Sequence, residues 1–443
     1  MVHGPGNPGP ERVAELVEGD GPAVPIGFEE LRAAAMDAMD ETAKAYVPGG
    51  AGSEDTVDRN RTAFDRWRIV PRMLRGVADR DLTVELFGRS HPPVALAPIG
   101  AQDAIHEEGE LATARGAREA GVPMCLSTVS GAPMEAVAEE LGSTPKWFQL
   151  YWSSEPEVTA SLLDRAADAG FDAVVLTVDT PTLGWRERVL SAGATPFDDA
   201  HGLGTYFSDP AFRSLLDAPP EKDPDAATER FHEVFGDPSL TWADVEAVCA
   251  EVDLPVVVKG VLHPEDAREA VDRGAAGVSV STHGGRQVDG SLAAVEALPA
   301  VADAVGSEAT VLLDSGIRRG GDVFRALALG ADAVMVGRPY AYGLAAGGAA
   351  GVRSACANLL ANLDLVTGLC GRRSVAEIGR DAVGRIPHPG EAYPLGLSGS
   401  PVSCRLCQGG RVRSYASPCR GEPRRFKSGP WLLATSRTSK RRT

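Results

Sequence analysis

The stretch 279–290 reads SVSTHGGRQVDG and places His283 and Arg286 three residues apart at the end of an apolar run. A lone histidine near a strand end is more often structural than catalytic, so the weight rests on what accompanies it. Asp179 ends the apolar run AVVLTVD. An aspartate that accepts the Nδ1 proton of a histidine fixes its tautomer and raises its basicity, leaving Nε2 to take a proton. Arg186 and Arg286 offer two planar guanidiniums suited to bidentate binding of a carboxylate. Lys259 ends the run VVVK, where a buried ammonium is costly unless it meets a phosphate, an anionic ring, a carboxylate or a structural ion-pair partner. The segments LDSGIRRGGD (313–322) and VGRP (336–339) combine glycines that permit close approach with Arg318 and Arg338, a pattern suited to a phosphate ester. Proton abstraction from a carboxylate-bearing substrate, beside a phosphate-bearing group, is the chemistry these residues can do.

Such residues must be held by elements that converge. Short apolar runs recur at 94–100, 122–128, 146–152, 173–179, 254–260, 277–282, 310–316 and 333–339, each bounded by Gly, Pro or Asp, as strands buried on both faces are. Amphipathic stretches such as 263–275 and 320–331 lie between them. Eight strands with crossover helices predict an α/β fold, a (β/α)8 TIM barrel over about 94–345. An open doubly wound sheet competes. The polar residues Gln149, Tyr151, Thr177, Asp179, Lys259, Ser281, His283, Asp314 and Arg338 all fall at C-terminal strand ends, which in a barrel share one mouth. A helix is expected over 28–46, and the long fourth connection, 184–241, reads as a lid. The domain reading is a flexible N-terminus over 1–27, the barrel domain over 28–387, and a basic, disordered tail over 388–443. That tail holds 11 Lys or Arg against two Glu, and its Cys404, Cys407 and Cys419 lack a nearby His to complete a zinc site. No metal is expected.

The chain has 443 residues, of which 43% are hydrophobic, enough for a large core. Its net charge of −17 argues against nucleic acid as a partner. No apolar run reaches the ~18 residues of a membrane span, and the opening MVHGPGNPGPERV lacks a basic stretch followed by an apolar one. A cytoplasmic location is therefore expected, with the seven cysteines as reduced thiols.

The motifs WFQLYW, LTVDTPTLGWRE, VVVKGVLHPEDA, STHGGRQVDG and LLDSGIRRGGDVFRALALGADAVMVGRP, in this order within 29–385, resemble the FMN-dependent α-hydroxy-acid oxidase and dehydrogenase family. The resemblance implies FMN as cofactor, with the backbone of Pro98, Ile99 and Gly100 beside the flavin and Ser127, Gln149 and Thr177 hydrogen-bonding it. Lys259 would face the N1/O2 edge. Ser281, Asp314, Arg318, Gly337 and Arg338 would hold ribityl and phosphate, with Ser315 and Gly316 in the same cofactor-binding loop. Tyr46 and Tyr151 would contact the substrate, Arg186 and Arg286 would pair with its carboxylate, and His283, oriented by Asp179, would take the proton. The implied reaction is oxidation of a small, lactate-like L-2-hydroxy acid to the 2-keto acid with oxygen as acceptor. The 190–242 segment resembles the long lid of lactate 2-monooxygenase, which implies oxidative decarboxylation of the product. A dehydrogenase using a quinone or carrier is the rival within the family. An FMN-dependent isopentenyl-diphosphate isomerase has no need of two arginines and a His–Asp pair for a small carboxylate. The resemblance also implies a homo-oligomer, tetramer or octamer. Three positions depart from the family pattern: Thr282 stands for Asn, Val129 for a Trp near the substrate, and Gly100 for Ala.

Overall fold

Eight short parallel strands close into a barrel in the computed structural model, which describes residues 8–19, 21–193 and 195–386. They are β1 (Val94–Leu96), β2 (Met124–Ser127), β3 (Lys146–Leu150), β4 (Ala173–Thr177), β5 (Val256–Val261), β6 (Gly277–Val280), β7 (Thr310–Leu313) and β8 (Ala333–Val336). The circle closes where Val334 pairs with Val94. The open-sheet alternative is thereby set aside.

Two-sided burial explains the uninterrupted apolar runs. Ala95, Cys125, Trp147, Val175, Val257, Leu312 and Met335 pack together inside the barrel. The alternate residues, among them Val94, Leu126, Phe148, Val174 and Val258, join the outer core with the helices. A hairpin of Val84–Leu86 and Arg89–His91 supports the N-terminal end of this interior, where Phe87 meets Trp147 edge-on with centroids 5.4 Å apart. The opposite, C-terminal end is left to polar groups. Most of the apolar runs extend beyond the strand ladder, and their last residues turn out of it around this mouth.

Two local expectations are corrected, and the fourth connection gains a fold. The single helix expected over 28–46 is two, Phe28–Ala38 and Glu41–Tyr46, because Met39 turns extended and the Asp40 carboxylate caps the second helix by accepting from Ala43 N–H at 2.8 Å. Residues 8–18, grouped with a flexible N-terminus, form a helix whose Gly9 N–H donates to Asp364 at 3.0 Å. The fourth connection is largely helical, with Glu187–Ala192, Gly204–Phe207, Pro210–Ser214 and Pro224–Val234; Asp209 and Asp223 cap the last two, and Thr195 caps the 3-10 turn Pro196–Asp199. Its interior is aromatic, Tyr206 packing edge-on against Phe212 and Phe231.

The insertion is tied down at both ends. Asp103, after β1, accepts from Gly202 N–H at 3.0 Å and lies 3.0 Å from His201 Nδ1. Val234 accepts from Ser154 N–H and the Ser153 hydroxyl, after β3. The basic tail and its three cysteines lie outside the described residues. Among the described residues no cluster of His, Cys, Asp or Glu could hold a metal ion, and no helix is long and apolar enough to cross a membrane.

The helix Arg338–Leu369 carries the wholly buried Asp364, which accepts from Arg80 Nε and Nη2, both at 2.6 Å. Replacing Asp364 with Ala removes the carboxylate that receives both Arg80 Nε and Nη2 and the Gly9 N–H, and we expect a loss of about 3–5 kcal/mol. A urea unfolding midpoint unchanged from the parent would show that the pair contributes nothing.

Candidate active site

The mouth of the barrel is a cavity lined from every side of the ring. Pro98, Ile99 and Gly100 form one wall after β1, and Tyr151, Lys259 and His283 enter from β3, β5 and the turn after β6. Asp314 to Arg318 follow β7, Gly337 and Arg338 follow β8, and Tyr46, Arg186 and Arg286 stand at the rim. Phe197 and Phe235 of the insertion complete the lining.

His283 lies in a left-handed turn, φ +55°, followed by Gly284 and Gly285 at +67° and +80°. The glycine at 285 is needed because a Cβ there would come within 2.7 Å of Val57 N. The imidazole Nδ1 is 2.8 Å from Asp179 Oδ1, and Nε2 is 3.3 Å from the Tyr151 hydroxyl. Thr180 donates to the same Asp179 oxygen at 2.9 Å. Burial pushes the imidazole below its usual range; Asp179 opposes this, while Lys259 and Arg186 reinforce it. Burial would raise the Asp179 carboxyl, but His283 and Lys259 hold it at about 2. The pair is therefore a carboxylate and a neutral imidazole at neutral pH, with the proton on Nδ1 and Nε2 free to accept.

Lys259 is 4% exposed and donates to Ser281 Oγ at 3.2 Å, with Asp314 Oδ2 at 3.7 Å. Burial works against its charge, yet the carboxylates of Asp314 and Asp179 raise its pKa, so it stays an ammonium. The Ser281 hydroxyl donates to Asp314 at 2.8 Å and accepts from His283 N–H at 2.9 Å. Ser315 donates to the same Asp314 oxygen at 2.8 Å and accepts from Gly284 N–H at 3.0 Å. One carboxylate thus joins the ends of β5, β6 and β7.

Four guanidiniums surround this centre. Arg286 donates to the Tyr46 and Gly49 carbonyls and lies over the Tyr46 ring, 4.7 Å from its centroid. Arg186 donates to the Arg286 carbonyl at 3.2 Å and to Gln287 Oε1 at 2.8 Å. Arg338 donates to the carbonyls of Val47, Gly284 and Gly49, and Arg318 stacks on Phe28 with 4.5 Å to the centroid. Burial lowers Arg286 and Arg318 to about 9 each, with Arg186 and Arg338 respectively adding repulsion. Among the described residues none of the four forms an ion pair with a carboxylate. Groups buried in this way await anions.

The remaining expected residues sit behind this lining. Ser127 donates to Gln149 Oε1 at 3.0 Å, across the β2–β3 register. Gln149 Nε2 and Thr177 Oγ1 are buried without a hydrogen-bond partner among the described residues. Asp179 and Ser281 act on the lining through His283 and Lys259. The cavity fits the FMN that the sequence resemblance implies: an amide donor and a hydroxyl lack partners, Lys259 supplies charge, and Arg318 and Arg338 offer guanidiniums for a phosphate.

Several members of the site were not foreseen. Thr282, the residue standing for Asn, has its hydroxyl held by Asn60 Nδ2 at 2.7 Å, and Asn60 Oδ1 accepts from Ala294 N–H. Nothing in the sequence links position 60 to that turn. Gln287 donates to the carbonyls of Asp179 and Thr182, and its place beside Arg286 was the available signal. The other two departures touch, since a Cβ at Gly100 would collide with the Val129 side chain. Phe197 and Phe235 lay within the insertion, whose sequence names no inward face.

Residues 35–385 match the FMN-dependent dehydrogenase family. The chain is 41% identical over 374 residues to the FMN-dependent alpha-hydroxy acid dehydrogenase qulF of Penicillium citrinum, covering 84% of this chain and 93% of that protein. It is 42% identical over 352 residues to an L-lactate oxidase of Lysinibacillus sphaericus, covering 79% and 90%. A crystal structure of mandelate oxidase with (S)-4-hydroxymandelic acid aligns with a TM-score of 0.72 at 40% identity, covering 80% of this chain and 97% of that one. The chain belongs to the FMN-dependent α-hydroxy-acid dehydrogenase and oxidase family, with FMN as its cofactor and α-hydroxy-acid oxidation as its chemistry.

Proposed function

We propose that the protein oxidises a small, lactate-like L-2-hydroxy acid to the 2-keto acid with oxygen as acceptor, and that the keto acid is held under the lid for oxidative decarboxylation. The observation that carries this reading is the His283–Asp179 pair, with Tyr151 on Nε2, in one cavity with Arg186 and Arg286. The guanidiniums take the substrate carboxylate, which directs the α-hydroxyl toward Tyr151 and His283. Nε2 accepts the hydroxyl proton while Asp179 stabilises the imidazolium that forms. FMN, when bound, supplies the acceptor for the electron pair and hydrogen equivalent leaving the α-carbon. Lys259, kept protonated beside Asp314, provides a fixed positive charge for the anion that results.

Oxidative decarboxylation requires the insertion to hold the keto acid in the cavity. Phe197 and Phe235 overhang the cavity, and the insertion that carries them is fastened to Asp103 on one side and Ser153 and Ser154 on the other. Oxygen takes up two electrons and two protons as hydrogen peroxide. If pyruvate is still enclosed, peroxide converts it to acetate, carbon dioxide and water.

Three results test this reading. L-Lactate added anaerobically should bleach the flavin absorbance, and in air the product should be acetate; pyruvate with peroxide would mean the lid releases the keto acid first. Bleaching by no small 2-hydroxy acid would sink the reading. Arg286→Lys should raise the KM for L-lactate roughly 10- to 100-fold, since a point charge cannot reproduce the bidentate fork and such charged hydrogen bonds are worth about 1.5–3 kcal/mol; an unchanged KM would remove Arg286 from the site. Because the base must be neutral to accept a proton and burial lowers its pKa, the reduction rate should rise with pH along an acid limb centred below the ordinary histidine value of 6.5 and be flat through neutrality. A limb centred above pH 7 (roughly half a unit above an ordinary histidine) would contradict this.

A further inference from the structure

We infer that Gly260 is a positioning residue for the His283–Asp179 pair, because the absence of a side chain at this bulge leaves room for the Asp179 carboxylate. The inference rests on the proposed role of His283 as base. Strand β5 does not run evenly: its register with β6 shifts between Lys259 and Val261, and Gly260 is the extra residue, with φ +109°. A Cβ at 260 would lie 2.5 Å from Asp179 Cβ, 2.7 Å from Cγ and 2.8 Å from Oδ2. These contacts span the whole side chain, so turning the carboxylate about its last bond relieves none of the closest one.

Nor can the Asp179 backbone withdraw. Val178 N–H donates to the Lys259 carbonyl at 2.9 Å, and the Asp179 carbonyl accepts from Gln287 Nε2 at 2.8 Å. Oδ1 is engaged by His283 Nδ1 and by Thr180. Oδ2 is buried without a hydrogen-bond partner among the described residues, and it is the oxygen on the Gly260 side. The pose of Asp179 is thus set by hydrogen bonds on one side and by empty space on the other. Fill that space and the carboxylate must swing off the imidazole. The same bulge lets Lys259 point into the mouth while Val261 returns to the outer core.

The test is a double-mutant cycle on the FMN-loaded enzyme, with Gly260→Ala and Asp179→Gly singly and together. Left-handed strain at 260 is present in both backgrounds and cancels. In the parent background Gly260→Ala should slow anaerobic flavin reduction by L-lactate roughly 100-fold, as a small misplacement of a catalytic group does. The substrate concentration giving half-maximal reduction should move less than about threefold, because both arginines remain. In the Asp179→Gly background the same change should slow reduction less than about threefold. An undiminished rate, or an equal loss in both backgrounds, would overturn the proposal. If Gly260→Ala yields no soluble flavoprotein, adding Asp179→Gly should restore FMN content and thermal stability, and a double variant that also fails overturns it. Should L-lactate and (S)-mandelate both leave the parent flavin unreduced, the functional reading fails, while the stability arm of the cycle still decides the role of Gly260.

Discussion

Positive charge concentrated in one cavity at the barrel mouth is the constraint on which this molecule is built. Lys259, Arg286, Arg318 and Arg338 all face the mouth of the barrel, and taking such groups out of water costs several kcal/mol each. Asp314 meets part of that cost. Its carboxylate lies beside Lys259 and receives the hydroxyls of Ser279, Ser281 and Ser315. The Ser281 hydroxyl in turn accepts from the backbone N–H of His283, and the Ser315 hydroxyl from those of Thr282 and Gly284. The residue that compensates the buried ammonium therefore also fixes the turn carrying the histidine. What Asp314 does not neutralise is left for anions brought from outside, and FMN and a 2-hydroxy acid each carry one.

The insertion after β4 closes the cavity by a different kind of force. Its core is a cluster of Phe197, Tyr206, Phe212, Phe231 and Phe235, which pack on one another and against Tyr46 and Tyr151 at the rim. Aromatic contacts are tolerant of small displacements, whereas the ties to Asp103 and Ser153 are directional.

The barrel was legible in the sequence because burial on both faces keeps the strands mostly apolar, so the apolar runs mark the strands and the polar residues at their C-terminal ends mark the mouth. Asp179, Lys259 and His283 were legible for the same reason, while Arg186 and Arg286 stand in the connections that follow. Thr282 was not, because its partner Asn60 lies on a helix outside the barrel pattern, 222 residues away along the chain. The break at Asp40 was written in the residue type, a capping aspartate inside a helical pattern, but continuous amphipathicity on both sides concealed it. The insertion gave its length without its fold, since short helices show little periodicity over a few residues.

The direction of the His283 imidazole is settled by backbone as much as by side chain. His283 and Ser315 are the non-glycine residues of this site with positive φ, +55° and +75°, a conformation costing roughly 1–2 kcal/mol for an L-residue. They stand in neighbouring loops that hold each other: Ser315 Oγ accepts from Thr282 and Gly284, on either side of His283. Each strained turn supplies the hydrogen bonds that keep the other strained. Because the turn is held on both sides, the imidazole can be aimed at Tyr151 and the cavity while its Nδ1 stays on Asp179. Local strain of this kind persists where the surroundings over-determine it, and here the surroundings are the charged network that begins at Asp314.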